Sequence, residues 1–340
     1  MKNRLPVTIV TGFLGSGKTT LLRYLLKHGN KKLAVIVNEF GSVGLDGDLF
    51  KTCDFCSEDE LEGRLVELNN GCLCCTVQDD FLPTMEALLE RSNQLDGIVV
   101  ETSGLALPKP LLQALDWPQI RAKLHVNGVI TVVDGEALSA GSPVGDISAI
   151  EKQQKEDKSI DHLTPLSELF SDQLIMSDLV LISRADCISK IAIERIKRDL
   201  SEKIKLGTPI FSIINGEIDP SIILGLTHSR DISSDIHEED HHHLKVHSTT
   251  VRFETHTEKA YFESVIKDLA LEFQIIRLKG RFWIDSKRLP LQVQMVGSRL
   301  NCWYEEAPNT AWKPEESGMD FVVLSFCEGA DEAIISAFEK

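Results

Sequence analysis

Residues 12–19 read GFLGSGKT, which fits the pattern G-x-x-x-x-G-K-[ST]. The stretch follows the apolar run VTIVT (7–11) and precedes the helical pattern TTLLRYLLKHG (19–29). A strand, a glycine loop and a helix in that order constrain the fold strongly, because such a loop works only where a strand end meets a helix N-terminus. Glycines at 12, 15 and 17 let the backbone N–H groups turn inward around an anion. The helix then aims its positive end at the same point. On this reading Gly12, Gly15, Ser16, Gly17, Lys18, Thr19 and Thr20 hold the phosphates of a nucleotide. Lys18 reaches the β and γ phosphates and Thr19 ligates Mg²⁺.

The rest of the first two thirds agrees. Short apolar runs recur at LAVIVN (33–38), RLVEL (64–68), DGIVVE (96–101), GVITVVD (128–134), LVLIS (179–183) and PIFSII (209–214), with helical patterns between them. Near-continuous apolar strands suit a mainly parallel sheet covered on both faces. The expected fold is therefore α/β: a doubly wound P-loop domain. A chain of 340 residues is long enough for a second domain. The composition turns polar, acidic and histidine-rich near residue 228, and strand and helix patterns resume afterwards. This divides the chain into a P-loop domain over 1–226, a linker over 227–247 and a smaller C-terminal α+β domain over 248–340.

A P-loop needs an acid at a neighbouring strand end to organise Mg²⁺. GIVVETSG (97–104) supplies Glu101, and the backbone N–H of Gly104 is placed to sense a γ-phosphate. Guanine readers carry N-K-x-D after a late strand. Here Ser183-Arg184-Ala185-Asp186 occupies that place. Asp186 can accept two hydrogen bonds from guanine, and Arg184 can cover the ring with its aliphatic stem or its guanidinium plane. The asparagine is missing, so this motif favours guanine only weakly, and an ordinary strand-to-helix turn fits it too.

Residues 69–77, NNGCLCCTV, crowd Cys72, Cys74 and Cys75 together. Thiolates are soft ligands for Zn²⁺ and related metals, and three of them leave a fourth position open. That spacing suits a site that exchanges its metal. Cys53 and Cys56 form a nearby C-x-x-C, so a closed structural zinc site built from the five cysteines is the competing reading. Cys187, Cys302 and Cys327 read as buried, non-binding residues. His237, His241, His242, His243 and His247, beside Glu238, Glu239 and Asp240, form a second, weaker group of metal ligands suited to collecting metal.

A net charge of −16 argues against nucleic acid and against an anionic membrane as partners. No stretch is long and apolar enough to span a bilayer, and the N-terminal apolar run is too short and glycine-broken for a signal peptide. The expected location is cytoplasmic, where cysteines persist as thiols.

GFLGSGKTT, NEFG (38–41), GCLCC (71–75), ETSG (101–104), the histidine-rich stretch and the C-terminal domain follow one another in an order that resembles the CobW-type P-loop GTPase metallochaperones. That family is related to the nickel-handling GTPases of urease and hydrogenase maturation. SGLALPKPL (103–111), WPQIR (117–121) and SRAD look most like the branch associated with cobalamin biosynthesis. The resemblance implies a slow GTPase using GTP and Mg²⁺, with Zn²⁺ or Co²⁺ held at Cys72, Cys74 and Cys75 and released on hydrolysis. It implies Lys18, Glu39, Asp46 and Glu101 as catalytic residues, Glu39 belonging to a switch and Asp46 approaching Mg²⁺ or the attacking water. Thr19 and Glu101 become the Mg²⁺ residues. The implied partner is a metal-recipient protein, either a cobaltochelatase or a zinc enzyme, with cobalt the first choice of cargo. A nucleotide-dependent homodimer is compatible with the same reading. Ser42 stands where many relatives carry Glu after NEFG. A small-molecule kinase or ligase with structural zinc, and a metal-storage or sensor protein with a vestigial nucleotide site, are the rival readings.

Overall fold

The structure is a computed structural model that describes residues 4–37, 65–67, 81–146, 150, 165–225, 246–285 and 287–339. Two compact units emerge, one of residues 4–205 and 210–224, the other chiefly of residues 225–340.

In the first unit the strands are β1 (Leu5–Thr11), β2 (Leu33–Val37), β3 (Leu65–Glu67), β4 (Gly97–Glu101), β5 (Leu124–Asp134), β6 (Leu179–Ser183) and β7 (Ile210–Ser212). The helices described are α1 (Lys18–His28), α2 (Leu82–Glu90), α3 (Pro108–Leu115), α4 (Gly135–Ser139), α5 (Leu166–Ile175), α6 (Lys190–Ser201) and α7 (Pro220–Leu224). The sheet order is β3-β2-β4-β1-β5-β6-β7, and every pairing is parallel. β2, β4 and β6 are buried along their whole lengths, which is why their sequences are apolar without alternation. One core cluster packs Met85, Leu88, Leu111 and Leu115 of α2 and α3 against Val7, Ile9, Ile36 and Val100. Another packs Phe170, Leu174, Ile196 and Leu200 of α5 and α6 against Val133, Val180 and Ile182.

The topology fixes where a ligand can sit. The chain after β1 runs to one side of it through β2, β3 and β4, then to the other through β5, β6 and β7. The carboxyl end of β1 is thus the switch point, where the crevice of an open α/β sheet lies. The neighbouring strands end almost level: Val10 pairs with Glu101, Val37 pairs with Glu101, and Val37 also pairs with Glu67.

The second unit holds β8 (His247–Glu254), α8 (Lys259–Glu272), β9 (Ile275–Trp283), β10 (Leu291–Val296), β11 (Arg299–Tyr304), β12 (Gly318–Ser325) and α9 (Ala330–Phe338). Its sheet is antiparallel in the order β11-β10-β9-β12-β8. Phe262, Ile266, Ile334 and Phe338 from the helices pack on Phe282, Val293, Met295 and Phe321 from the strands. This is the expected α+β arrangement, with one correction. His247, read as the last residue of the linker, opens β8, where its backbone pairs with Ser325 and its ring lies 3.6 Å from Glu328. The polar composition of the linker runs past the point at which backbone pairing starts, and composition alone hid the boundary.

Candidate functional site

The loop after β1 takes the conformation its glycines permit. Gly12 has φ +137°, and a Cβ there would lie 2.1 Å from the Val132 carbonyl oxygen, so no other residue fits against β5. Gly15 and Gly17 also lie at positive φ, and Gly17 is the residue from which α1 starts. α1 is held down by Leu21, Leu22 and Leu25, all buried, which aims its N-terminus into the loop. Lys18 is buried, and its Nζ donates to the Phe13 carbonyl at 3.2 Å. The Ser16 hydroxyl is buried with no hydrogen-bond partner among the described residues. A buried orphan hydroxyl in a loop whose glycines stand at positive φ is what an anion such as phosphate would satisfy. Thr20 is exposed on the next position of the helix.

Glu101 ends β4 and is buried. It meets the P-loop helix directly: the Thr19 hydroxyl donates to Glu101 Oε1 at 3.2 Å, across 82 residues of sequence. A hydroxyl and a carboxylate so close, beside the phosphate loop, are the donor set a Mg²⁺–nucleotide complex needs. The residues present therefore fit GTP and Mg²⁺. The Ser103 hydroxyl is a second buried orphan, one residue before Gly104. Gly104 runs so close to the P-loop that a Cβ on it would lie 2.6 Å from the backbone nitrogen of Leu14.

Arg184 stands in the left-handed region at φ +53°. Its Nη1 donates to Asp134 Oδ2 at 2.6 Å and its Nη2 donates to the Gly15 carbonyl at 3.2 Å. The guanidinium is thus committed to the P-loop and to Asp134, which leaves the aliphatic stem as the part free to cover a base. Asp186 is exposed in the short 3-10 turn Ala185–Cys187.

Two residues of this site were missed from sequence. Asp134 ends β5 and caps α4, Oδ1 accepting from the backbone N–H of Glu136 and Ala137 at 3.0 and 3.1 Å. Its signal was present: an acid closing a strand on the opposite side of β1 from Glu101. Gln173 of α5 is wholly buried, and its Nε2 donates to the carbonyls of Gly104 at 3.2 Å and Ala106 at 3.1 Å. A glutamine in a helix carries no local sign of such a role.

Glu39, Asp46, Cys53, Cys56, Cys72, Cys74, Cys75, His237, His241, His242 and His243 lie outside the described residues. The described cysteines depart from the expected burial: Cys187 is exposed at the end of the turn after β6, and Cys302 and Cys327 are only partly buried. Burial first, then Glu263, pushes the Cys302 thiol up to about 12. A thiol held protonated is a poor metal ligand, in keeping with the non-binding reading of that residue.

Comparison with known proteins gives two family matches. Residues 6–211 match the model described as CobW/HypB/UreG, nucleotide-binding domain. Residues 246–339 match the cobalamin synthesis protein cobW C-terminal domain. The chain is 38% identical to the zinc chaperone CobW of a Sinorhizobium species, over 99% of this chain and 96% of that one. It is 44% identical to the zinc chaperone CobW of Pseudomonas aeruginosa, over 88% of this chain and 82% of that one. It is 33% identical to the zinc-regulated GTPase metalloprotein activator 1 of Schizosaccharomyces pombe, over 63% of this chain and 47% of that one.

Proposed function

The chain belongs to the CobW/HypB/UreG family, and on that premise we propose that it is a GTP-hydrolysing zinc chaperone. It holds a divalent metal at Cys72, Cys74 and Cys75 and gives it up to a recipient protein when GTP is hydrolysed. The cargo departs from the sequence expectation, which put cobalt first. The Sinorhizobium and Pseudomonas aeruginosa relatives, each aligned over more than four fifths of this chain, carry the name zinc chaperone, which favours zinc. Thiolate ligands agree, since such sites bind Zn²⁺ more tightly than Co²⁺.

The observation that carries the proposal is the register at the carboxyl ends of the strands. β3, the strand that precedes the cysteine segment, ends at Glu67 opposite Val37, and Val37 pairs with Glu101. The chain therefore enters NEFG and the cysteine segment at the same sheet edge at which Thr19 meets Glu101.

On this account Gly12, Gly15, Ser16, Gly17, Lys18, Thr19 and Thr20 bind phosphate. Thr19 and Glu101 hold Mg²⁺, which supplies charge neutralisation to the phosphates. Gly104 senses the γ-phosphate through its backbone N–H, and Gln173 fixes the loop that carries it. Asp186 reads guanine while the stem of Arg184 covers the ring. Glu39 and Asp46 complete the catalytic set from the switch. The Arg184 guanidinium is occupied by Gly15 and Asp134, so it is not free to serve as a catalytic arginine, and intrinsic turnover is slow.

Residues 1–226 form the GTPase domain, 227–246 the linker and 247–340, from the start of β8, the C-terminal domain. His237, His241, His242 and His243 collect metal at lower affinity. No helix among the described residues is long and apolar enough to cross a membrane. The proposed setting is the cytoplasm, the partner is an apo-zinc enzyme, and a homodimer forms with bound GTP.

The first test is phosphate release by the purified chain with Mg²⁺ and either GTP or ATP. Free phosphate, formed faster from GTP and lost in Thr19→Ala, is expected. Phosphate transferred to an acceptor, or equal use of ATP, overturns the GTPase assignment.

A further inference from the structure

Away from the nucleotide site, three side chains suited to a divalent cation meet at one end of the C-terminal sheet. Gly318, the first residue of β12, pairs with Glu254, the last of β8, and with Trp283, the last of β9. Two residues beyond that row, in each of the three chain segments, stand His256, Asp285 and Glu316. The antiparallel register itself makes them converge.

The backbone between them is pinned. The Thr255 N–H donates to the Ser317 carbonyl at 3.1 Å, and the Ser317 hydroxyl donates to the Trp283 carbonyl at 2.6 Å. The Thr255 hydroxyl donates to the Phe338 carbonyl at 2.6 Å, and the Glu315 N–H donates to the Glu254 carboxylate at 3.0 Å. Thr255 and Ser317 are buried. From this support the three side chains project into solvent, with His256 Nδ1 2.8 Å from Asp285 Oδ2 and His256 Nε2 3.7 Å from Glu316 Oε2. One ligand atom from each lies within 4.8 Å of the others.

We propose that His256, Asp285 and Glu316 form a second divalent-metal site of the zinc type, separate from the cysteine segment. The donor set is one imidazole nitrogen and two carboxylate oxygens. Such sets bind Zn²⁺ at about 2.0–2.2 Å while leaving a position open to water or another protein. A neutral imidazole with two carboxylates offers a charge that a divalent ion cancels. An exposed histidine–aspartate ion pair would need one carboxylate. Here the ring meets two, Asp285 at 2.8 Å and Glu316 at 3.7 Å. Strand-end support gives the site a fixed shape, and exposure gives it rapid exchange, which together suit transfer of metal to or from a docked partner. No residue of the nucleotide site takes part, so metal binding here stands or falls separately from GTP hydrolysis.

The test uses the full chain carrying Cys72→Ala, Cys74→Ala and Cys75→Ala and lacking residues 237–243, without nucleotide. Zn²⁺ is titrated against a chromophoric chelator. We expect one zinc equivalent that weakens at least tenfold in His256→Ala and also in Asp285→Asn and Glu316→Gln, each with an unchanged melting temperature. Anomalous diffraction at the zinc edge from the His256 wild type should place an ion among the three side chains. In the otherwise wild-type chain, His256→Ala leaves GTP turnover unchanged. A zinc stoichiometry and affinity indifferent to all three substitutions, or an anomalous map with no peak there, overturns the proposal.

Discussion

Arg184 and Asp134 are joined by a 2.6 Å ion pair that ties the turn after β6 to the end of β5. The same guanidinium reaches the Gly15 carbonyl, so one side chain clamps the turn after β6 to the P-loop. Arg184→Ala should weaken GDP and GTP alike by about tenfold, or ~1.4 kcal/mol. Arg184→Lys keeps a charge but loses the fork, and should fall between the two. Isothermal titration with both nucleotides checks this. Equal affinities for all three proteins would remove the clamp from the account.

Asp134 does two things, and they separate by substitution. Asp134→Asn retains an acceptor for the N–H groups of Glu136 and Ala137, whereas Asp134→Ala loses that cap, worth about 1 kcal/mol. Thermal melts should rank wild type above Asn and Asn above Ala, with nucleotide affinity reduced in both.

Glu101→Gln keeps the shape of the Thr19 contact and removes the charge. Mg²⁺-dependent GTP turnover should fall on the order of a hundredfold, while GDP binding in the presence of a chelator changes little. Stopped-flow phosphate release and a nucleotide-displacement assay give the two numbers. Turnover within threefold of wild type would mean that Glu101 does not organise Mg²⁺.

Gln173 holds the carbonyls of Gly104 and Ala106 from inside the core. Gln173→Leu strands both, at a cost of about 1–3 kcal/mol for each buried group left unpaired. Beyond the lower melting temperature, the variant should lose more affinity for a GTP analogue than for GDP, because Gly104 is proposed to sense the γ-phosphate. A purely structural glutamine would lower both equally.

Cys302 supplies the pH prediction. Its thiol rises from 9.0 to about 12, chiefly through burial, with Glu263 adding to the shift. Between those values the unfolded chain has lost a proton that the folded chain keeps, so this group's contribution to stability declines as pH rises above about 9. At pH 8 iodoacetamide should modify Cys302 at least about tenfold more slowly than the exposed Cys187. The Cys187 thiol is also raised, by desolvation and then by Asp186, but less far. Peptide mass spectrometry of timed samples reads the ratio.

These particulars show what one sequence can disclose. The P-loop and Glu101 were legible because each is a short word in a fixed place, a glycine loop after a strand or an acid at a strand's end. The parallel sheet was legible from uninterrupted apolar runs. Asp134 and Gln173 were not, since each acts on residues distant in sequence through tertiary contact. Arg184 was expected after a late strand and follows β6, but the commitment of its guanidinium depends on where Gly15 and Asp134 come to rest. His256, Asp285 and Glu316 are scattered over residues 256–316, and only the pairing of Gly318 with Glu254 and Trp283 reveals that they meet. His247 was misread because composition blurred a strand boundary.

The central claim is that nucleotide state controls the hold on zinc. Competitive Zn²⁺ titration against a chelator, in GDP and in a non-hydrolysable GTP analogue, tests it directly with wild type and with the chain carrying Cys72→Ala, Cys74→Ala and Cys75→Ala. The account predicts that the cysteine-dependent site binds at least about tenfold more tightly with the GTP analogue, a coupling of ~1.4 kcal/mol. It also predicts that this difference vanishes in the triple variant. The same zinc affinity in both nucleotides would contradict it.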